Sequence, residues 1–240
     1  AMGDANTNWQ DQILRTTVSS DYNLSVGGTA GVLPYRVAVS YTNNNGILKT
    51  SRMDRLTFGF NLTPEFFDGK LKVQANAKGY YIKNNFASTD AVGAALASDP
   101  TRPVYNSYPT TGDTGKTLYN GYNLWLNAGV LNSNSTLNAL SILESRDNYS
   151  DVLRSNGNLQ LDYALHFLPE LRLNLNLGYD MSRSNEHNIV LENSPIAYKN
   201  AKNDGASTDY YQFQRKFNTL LDFYANYKKE FDVIKSIVDV

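Results

Sequence analysis

Residues 155–181 read SNGNLQLDYALHFLPELRLNLNLGYDM, and this run decides the fold. Leu159, Leu161, Tyr163, Leu165 and Phe167 alternate with Asn158, Gln160, Asp162, Ala164 and His166. After Leu168-Pro169-Glu170, which reads as a tight turn, Leu171, Leu173, Leu175, Leu177, Tyr179 and Met181 alternate with Arg172, Asn174, Asn176, Gly178 and Asp180. Strict alternation gives a strand with one apolar and one polar face, and two such strands around a short turn give a hairpin. A strand that crosses a bilayer at a tilt needs about 9–11 residues, against about 5–6 for an ordinary soluble strand. The Leu side is therefore expected to face lipid and the Asn/Gln side a wet lumen.

Composition narrows the class. The 240 residues suffice for one large domain or part of a bigger one, and a net charge of −1 lacks the basic footprint of a nucleic-acid binder. With no cysteine there is neither a disulfide nor a thiolate metal site. The 12% aromatic content, mostly Tyr, suits an all-β protein with aromatic girdles, and equally a soluble carbohydrate-binding sandwich. No apolar run approaches the roughly 18 residues of a transmembrane helix. The negative mean hydropathy does not argue against a membrane barrel, whose strands hide their apolar face in alternation. No signal peptide opens the chain, so the barrel reading expects one already removed, or an internal piece.

The same pattern recurs along the sequence. Tyr22, Leu24 and Val26 mark a first strand, Tyr35 to Tyr41 a second after a turn at 28–34, and Leu56 to Leu62 a third after a loop at 43–54. Asp68-Gly69 signals a tight turn into a fourth strand from Leu71 to Tyr81, where Lys72, Gln74, Asn76 and Lys78 form a polar face too wet for a dry core. A seventh strand is expected from Phe217 to Tyr227, and an eighth from Phe231 after a turn at 228–230. Between these lie long excursions at 82–150 and 182–211. The first is expected to hold short helices at Asp90–Ala97, capped by Thr89 or Asp90, and near Leu137–Glu144. A short helix after Asn8 is expected near the start, with Trp9 anchoring its loop. Short turns on one rim and long loops on the other are what an outer-membrane barrel shows, and Tyr35, Tyr41, Tyr81, Tyr163, Tyr179 and Tyr227 fall at girdle positions.

Five segments carry a family resemblance. Asn6–Asp11 (NTNWQD), Asn23–Gly28 (NLSVGG), Tyr41–Ile47 (YTNNNGI), Asp99–Tyr105 (DPTRPVY) and Gly157–Asp180 follow one another as in the SusC-like, TonB-dependent outer-membrane transporters of the Bacteroidetes. The resemblance implies an all-β fold: a partial antiparallel transmembrane β-barrel, about eight strands of a roughly 22-stranded barrel, with long extracellular loops containing short helices. It also implies a plug domain outside these residues, a SusD-like lipoprotein as lid, energy from TonB-ExbB-ExbD through the plug, and oligosaccharide or peptide as ligand. The departure is one of extent, since plug, TonB-contact segment, earliest strand and later strands lie outside residues 1–240.

Candidate sites follow from residue chemistry. Tyr105, Tyr108, Tyr119, Tyr122 and Trp125 form an aromatic-rich loop whose rings can stack on sugars, or else only pack the loop on itself. Lys72, Gln74, Lys78, Gln160, Asp162, Arg172, Asn174 and Asn176 are expected on the lumen face, meeting either plug or solute. No catalytic set emerges. His166 reads as a lumen-facing hydrogen-bonding residue, and His187, in a polar loop beside Glu186, has too few neighbours for a metal. The stretch Thr111–Thr117 lacks the spacing of a phosphate loop, and neither cofactor nor metal is expected. Two rival readings stay open: a self-closed eight-stranded barrel acting as an adhesin, and the soluble sandwich.

Overall fold

The computed structural model describes residues 3–31, 33–107, 117–132, 134–199, 205–231 and 236–239. One antiparallel sheet dominates it. Its strands are β1 (Ser20–Ala30), β2 (Leu33–Asn45), β3 (Arg52–Leu62), the short β4 (Glu65–Phe66) and β5 (Leu71–Asn85). After a separate two-stranded hairpin, β6 (Leu126–Asn127) and β7 (Val130–Leu131), come β8 (Arg146–Leu165), β9 (Leu168–Val190), β10 (Thr208–Phe231) and β11 (Ser236–Asp239). The order is β1-β2-β3-β5-β8-β9-β10-β11, with β4 beside β5, so among the described residues the sheet is an open, unclosed arc of barrel wall. No helix among the described residues is long and apolar enough to cross a membrane.

The register keeps the faces separate across every strand. Val37 pairs with Phe60, Phe60 with Ala77, Leu161 with Leu175 and Leu175 with Phe223, all on one face. Aromatic–aliphatic pairs of this kind are the stabilising unit of a sheet. This face stays uncovered: Leu24 is 71% exposed, Leu221 69% and Phe223 63%. An apolar surface of that extent needs lipid against it. Tyr179 lies over Gly157 on the same face, and its hydroxyl is 3.0 Å from Ser155 Oγ, so the ring fills the space of a missing side chain and its polar end is satisfied.

Several boundaries move relative to the sequence reading. The strands run farther than their apolar alternation: β5 reaches Asn85, β8 starts at Arg146, β9 continues to Val190 and β10 starts at Thr208. The long loops therefore shrink to 86–145 and 191–207. In stretches such as Ser182–Asn188 both faces carry polar side chains, because the strands there rise past the apolar band. The loop expected at 43–54 narrows to 46–51, and the turn expected at 28–34 to the residues between Ala30 and Leu33, with Gly31 at φ +64°. The β8–β9 turn falls at His166-Phe167 rather than 168–170. There β9 bulges, Ala164 facing Arg172 and Leu165 facing Leu168, so Pro169 sits where the ladder is interrupted and its missing N–H costs nothing. Lys228–Glu230 belong to β10, with β11 pairing back from Ser236.

The histidines also move. His166 lies in the turn, its Nδ1 2.6 Å from the hydroxyl of outward-facing Tyr163 and its ring against Phe67, so it does not face the lumen. His187 is a strand residue in β9, its ring between Tyr149 and Tyr211 and its Nδ1 3.2 Å from Asp209.

The buried core lies outside the sheet. Short helices α1 (Trp9–Ile13), α2 (Asp90–Ala97), α3 (Ala139–Glu144) and α4 (Pro195–Lys199) gather on the long-loop rim. Trp9, Ile13, Ala91, Ala94, Ala95, Leu137, Ala139, Ile142 and Leu143 close into one cluster there. Asn8 caps α1, accepting from the Gln10 amide, whereas Thr89 precedes α2 without a side-chain cap.

Candidate functional site

Two surfaces present chemistry. The first is the polar face of the wall. Register places Lys72 opposite Asp162, Gln74 opposite Gln160, Asp162 opposite Asn174 and Gln160 opposite Asn176, with Lys78 and Arg172 on the same face. All eight residues singled out from the strands thus share one side of the sheet. A row of amides crosses it, with Asn61 donating to Asn76, Asn76 to Asn158 at 3.0 Å, and Asn158 to Asn176 at 3.2 Å. Gln160 donates to Asn174 at 3.5 Å just below. Within the row Asn76 and Asn158 both give and accept, Asn61 gives and Asn176 accepts, so the amides keep further donor and acceptor capacity on this face. Asn61, Asn76 and Asn158 were not among the sequence candidates; their shared parity on adjacent strands was the available signal.

Two close ion pairs tie neighbouring strands on this face. Arg172 meets Asp162 at 2.5 Å, and Arg154 grips Asp180 with two bonds of 3.0 and 2.7 Å. The pairs are partly exposed, so they fix side-chain positions more than they stabilise the fold. Above the amide row a groove of about 590 Å³ is lined by Asn76, Lys78, Asn156, Asn158, Asp180 and Asn218, among others.

The second surface is the loop subdomain on the long-loop rim. Tyr119 and Tyr122 are only 4% and 7% exposed, so they pack the loop and do not form a ligand platform. Tyr119 meets Tyr198 edge-on, and Tyr122 donates its hydroxyl to Glu144 Oε2 at 2.5 Å. Burial first, and the Glu144 carboxylate second, push the Tyr122 phenol far above its ordinary range; burial raises Tyr105 too. Both stay protonated donors. Tyr105 and Trp125 remain open to solvent, and Tyr108 lies outside the described residues. The Arg102 guanidinium lies 3.7 Å from the centre of the Trp125 ring, a stacking that the sequence reading missed.

The recurring motifs turn out to build this subdomain. Trp9 donates Nε1–H to the Asp99 carbonyl at 2.9 Å, Thr7 bonds Pro100 and Arg102, and Arg15 reaches the 46–51 loop through Gly46 and Ser51. The segment before β1 thus clasps two loops together. Asn138, 4% exposed, accepts from the Leu140 and Ser141 amides and donates to the Val104 and Asn123 carbonyls, joining α3 to the 99–105 turn. Among the described residues no group of His, Asp and Glu could hold a metal.

An open antiparallel wall with an uncovered apolar face, a polar face, short turns on one rim and helical loops on the other defines a segment of a transmembrane β-barrel of the outer-membrane type. The chain is 39% identical over 97% of its length to the TonB-dependent receptor SusC of Bacteroides thetaiotaomicron, covering 24% of that protein. It is 31% identical over 42% of its length to the TonB-dependent receptor P26 of Formosa agariphila, covering 10% of it. Its fold matches the RagAB peptide transporter with a TM-score of 0.66 at 18% identity, over 96% of this chain and 24% of that one, and the "open-open" state of the RagAB peptide importer at 0.65. No family model matches. The chain belongs to the SusC/RagA-like TonB-dependent receptors, spanning about a quarter of the length of SusC, and groups with transporters rather than enzymes.

Proposed function

We propose that residues 1–240 are the early barrel wall of an outer-membrane importer that takes up oligosaccharides, driven by TonB-ExbB-ExbD through a plug domain outside this segment. A SusD-like surface lipoprotein closes over the long-loop rim, where Tyr105 and Trp125 are exposed toward solvent. The remaining strands complete a barrel of about 22, as a large lumen requires. The observation that carries the substrate class is the amide row Asn61–Asn76–Asn158–Asn176. Neutral groups that both donate and accept match a hydroxyl-rich solute, whereas free peptides bring charged ends that favour unpaired counter-charges. Beside the row Asp162, Asp180, Arg154 and Arg172 are paired with one another, and of the charges lining the groove only Lys78 lacks an ion pair among the described residues. Peptide uptake by the same machinery is the second reading, favoured by the fold match to the RagAB peptide transporter. Lys72, Gln74, Lys78 and their neighbours meet the plug at rest and the solute during passage.

The test is a strain lacking the full-length receptor, complemented with it and fed labelled oligosaccharides and labelled peptides. Restored uptake of an oligosaccharide supports the proposal. Restored uptake of peptides alone replaces it with the second reading.

A further inference from the structure

On the outer face of the wall Arg183 of β9 and Arg215 of β10 are direct cross-strand partners. Like charges placed opposite each other destabilise a sheet. Among the described residues neither guanidinium has a carboxylate within ion-pair distance; Arg183 lies 5.3 Å over the Phe213 ring instead. On the β8 side Leu153 faces Arg183 and the diagonal acid Asp151 accepts from the Tyr81 hydroxyl instead; Met181 and Phe217 lie just below, and Arg215 has no described neighbour across β10. Other cations on this face have acids beside them: Arg52 bonds Asp54 at 2.7 Å, and Lys83 sits opposite Asp54 and Asp151. The position adds meaning. Outward residues from Leu171 to Met181 cover about ten positions, the roughly 25 Å of an apolar band. Arg183 and Arg215 therefore stand at its upper edge, toward the long-loop rim, where lipid headgroups begin. Above them Tyr149, His187 and Tyr211 stack across three strands, a polar aromatic shelf at headgroup height.

We propose that Arg183 and Arg215 form a binding site for the phosphate of an anionic glycolipid in the outer leaflet. The phosphate sits between the two guanidiniums, cancels their repulsion and accepts planar paired bonds from each, while the acyl chains lie on Leu153, Met181 and Phe217. The inference rests on the outer-membrane orientation proposed above, but not on the substrate.

The experiment uses the full-length receptor, purified in mild detergent, with phosphorylated lipid A, enzymatically dephosphorylated lipid A and inorganic phosphate as probes in native mass spectrometry. Phosphorylated lipid A is expected to be retained about tenfold better than the dephosphorylated form, the weight of one charge-assisted bond pair. Arg183→Gln/Arg215→Gln removes the difference and Lys83→Gln keeps it. A second measurement guards against misfolding: Arg215→Gln raises the melting midpoint in lipid-free detergent, by relieving repulsion, and lowers it relative to wild type when phosphorylated lipid A is present. A midpoint lowered in both media means that Arg215 pairs with an acid of the protein, and overturns the site. Equal retention of dephosphorylated lipid overturns it too, and displacement by equimolar inorganic phosphate assigns a free-anion site instead. Because lipid retention is read on purified protein, it can fail while oligosaccharide uptake succeeds, and the reverse.

Discussion

Leu161, Leu175 and Phe223 stand side by side on β8, β9 and β10, and Phe223 remains 63% exposed. In the loop subdomain Leu143 and Ile13 are 2% and 1% exposed. The same residue types thus meet two solvents. The wall turns its apolar side outward and relies on lipid, while its backbone hydrogen bonds are satisfied strand to strand. The loops, standing in water, must build a core of their own, and do so with helices too short to be stable alone. The wall should therefore tolerate loss of an apolar side chain that the loop subdomain does not.

The sharpest test is Trp9→Ala. The ring is buried and its N–H is bonded to Asp99 O, so its removal should cost the subdomain about 3–5 kcal/mol. Hydrogen exchange on the full-length receptor in micelles should show faster exchange in 86–107 and 137–145 with β8–β9 unchanged, as separate cooperative units require. Leu175→Ala in the wall should leave the loops protected. If Trp9→Ala also releases the strands, wall and loops are one unit and the contrast fails.

Asn138→Ala comes next. It removes a helix cap and leaves the Val104 and Asn123 carbonyls without their side-chain donor, at a cost of about 2–3 kcal/mol to the subdomain. Exchange at the α3 amides should rise before that at α2. Equal loss at both would mean that the helices melt together rather than through the Asn138 junction.

How far the sequence could be read follows the same division. Alternation exposed the wall wherever one face met lipid, so β3 and the lower halves of β8 and β9 were legible residue by residue. It failed at Arg146–Arg154, Ser182–Val190 and Thr208–Lys216, where the strands leave the apolar band and polar side chains on both faces break the alternation. The first two helices showed through a cap and a breaker, Asn8 and Pro100, whereas the Asn138 cap of α3 emerged only in the structure. The fate of the aromatics did not. Nothing in Tyr119 or Tyr122 distinguishes a buried ring from an exposed one, because their burial depends on Tyr198 and Glu144, far away or on another element. The amide row was half legible: the parity of Asn76, Asn158 and Asn176 was visible, but their alignment needed the register.

A smaller effect is expected in the wall at Gly157→Ala. A side chain there would strike the Asn76 carbonyl oxygen and displace the Tyr179 ring, an overpacking cost of about 1–2 kcal/mol. The temperature at which the folded barrel loses its fast gel mobility should fall by a few degrees, about what such a change produces in a large domain. An unchanged temperature would mean that the Tyr179 ring is free to swing out into lipid.

The smallest effect belongs to the 99–105 turn. Asp99 Oδ1 accepts from the Thr101 amide and hydroxyl, both at 2.8 Å, and these bonds, with Arg102 nearby, hold its carboxyl below the ordinary carboxylate value of 3.8. A lowered folded-state pKa means that the unfolded turn binds the proton more readily. The stabilisation is therefore complete above the ordinary value and is lost as pH falls through the lower folded one. The residue is half-buried at the surface and screened by solvent, so the effect should be confined to the turn. Exchange of the Thr101 amide, compared with Asp99→Asn at each pH, should be slower in wild type near neutrality and converge with the variant only below pH of about 3.8, where the carboxylate is lost. Convergence already near neutrality would mean that the turn is held by Trp9 on the Asp99 carbonyl alone, and that the loop subdomain takes all its order from its core.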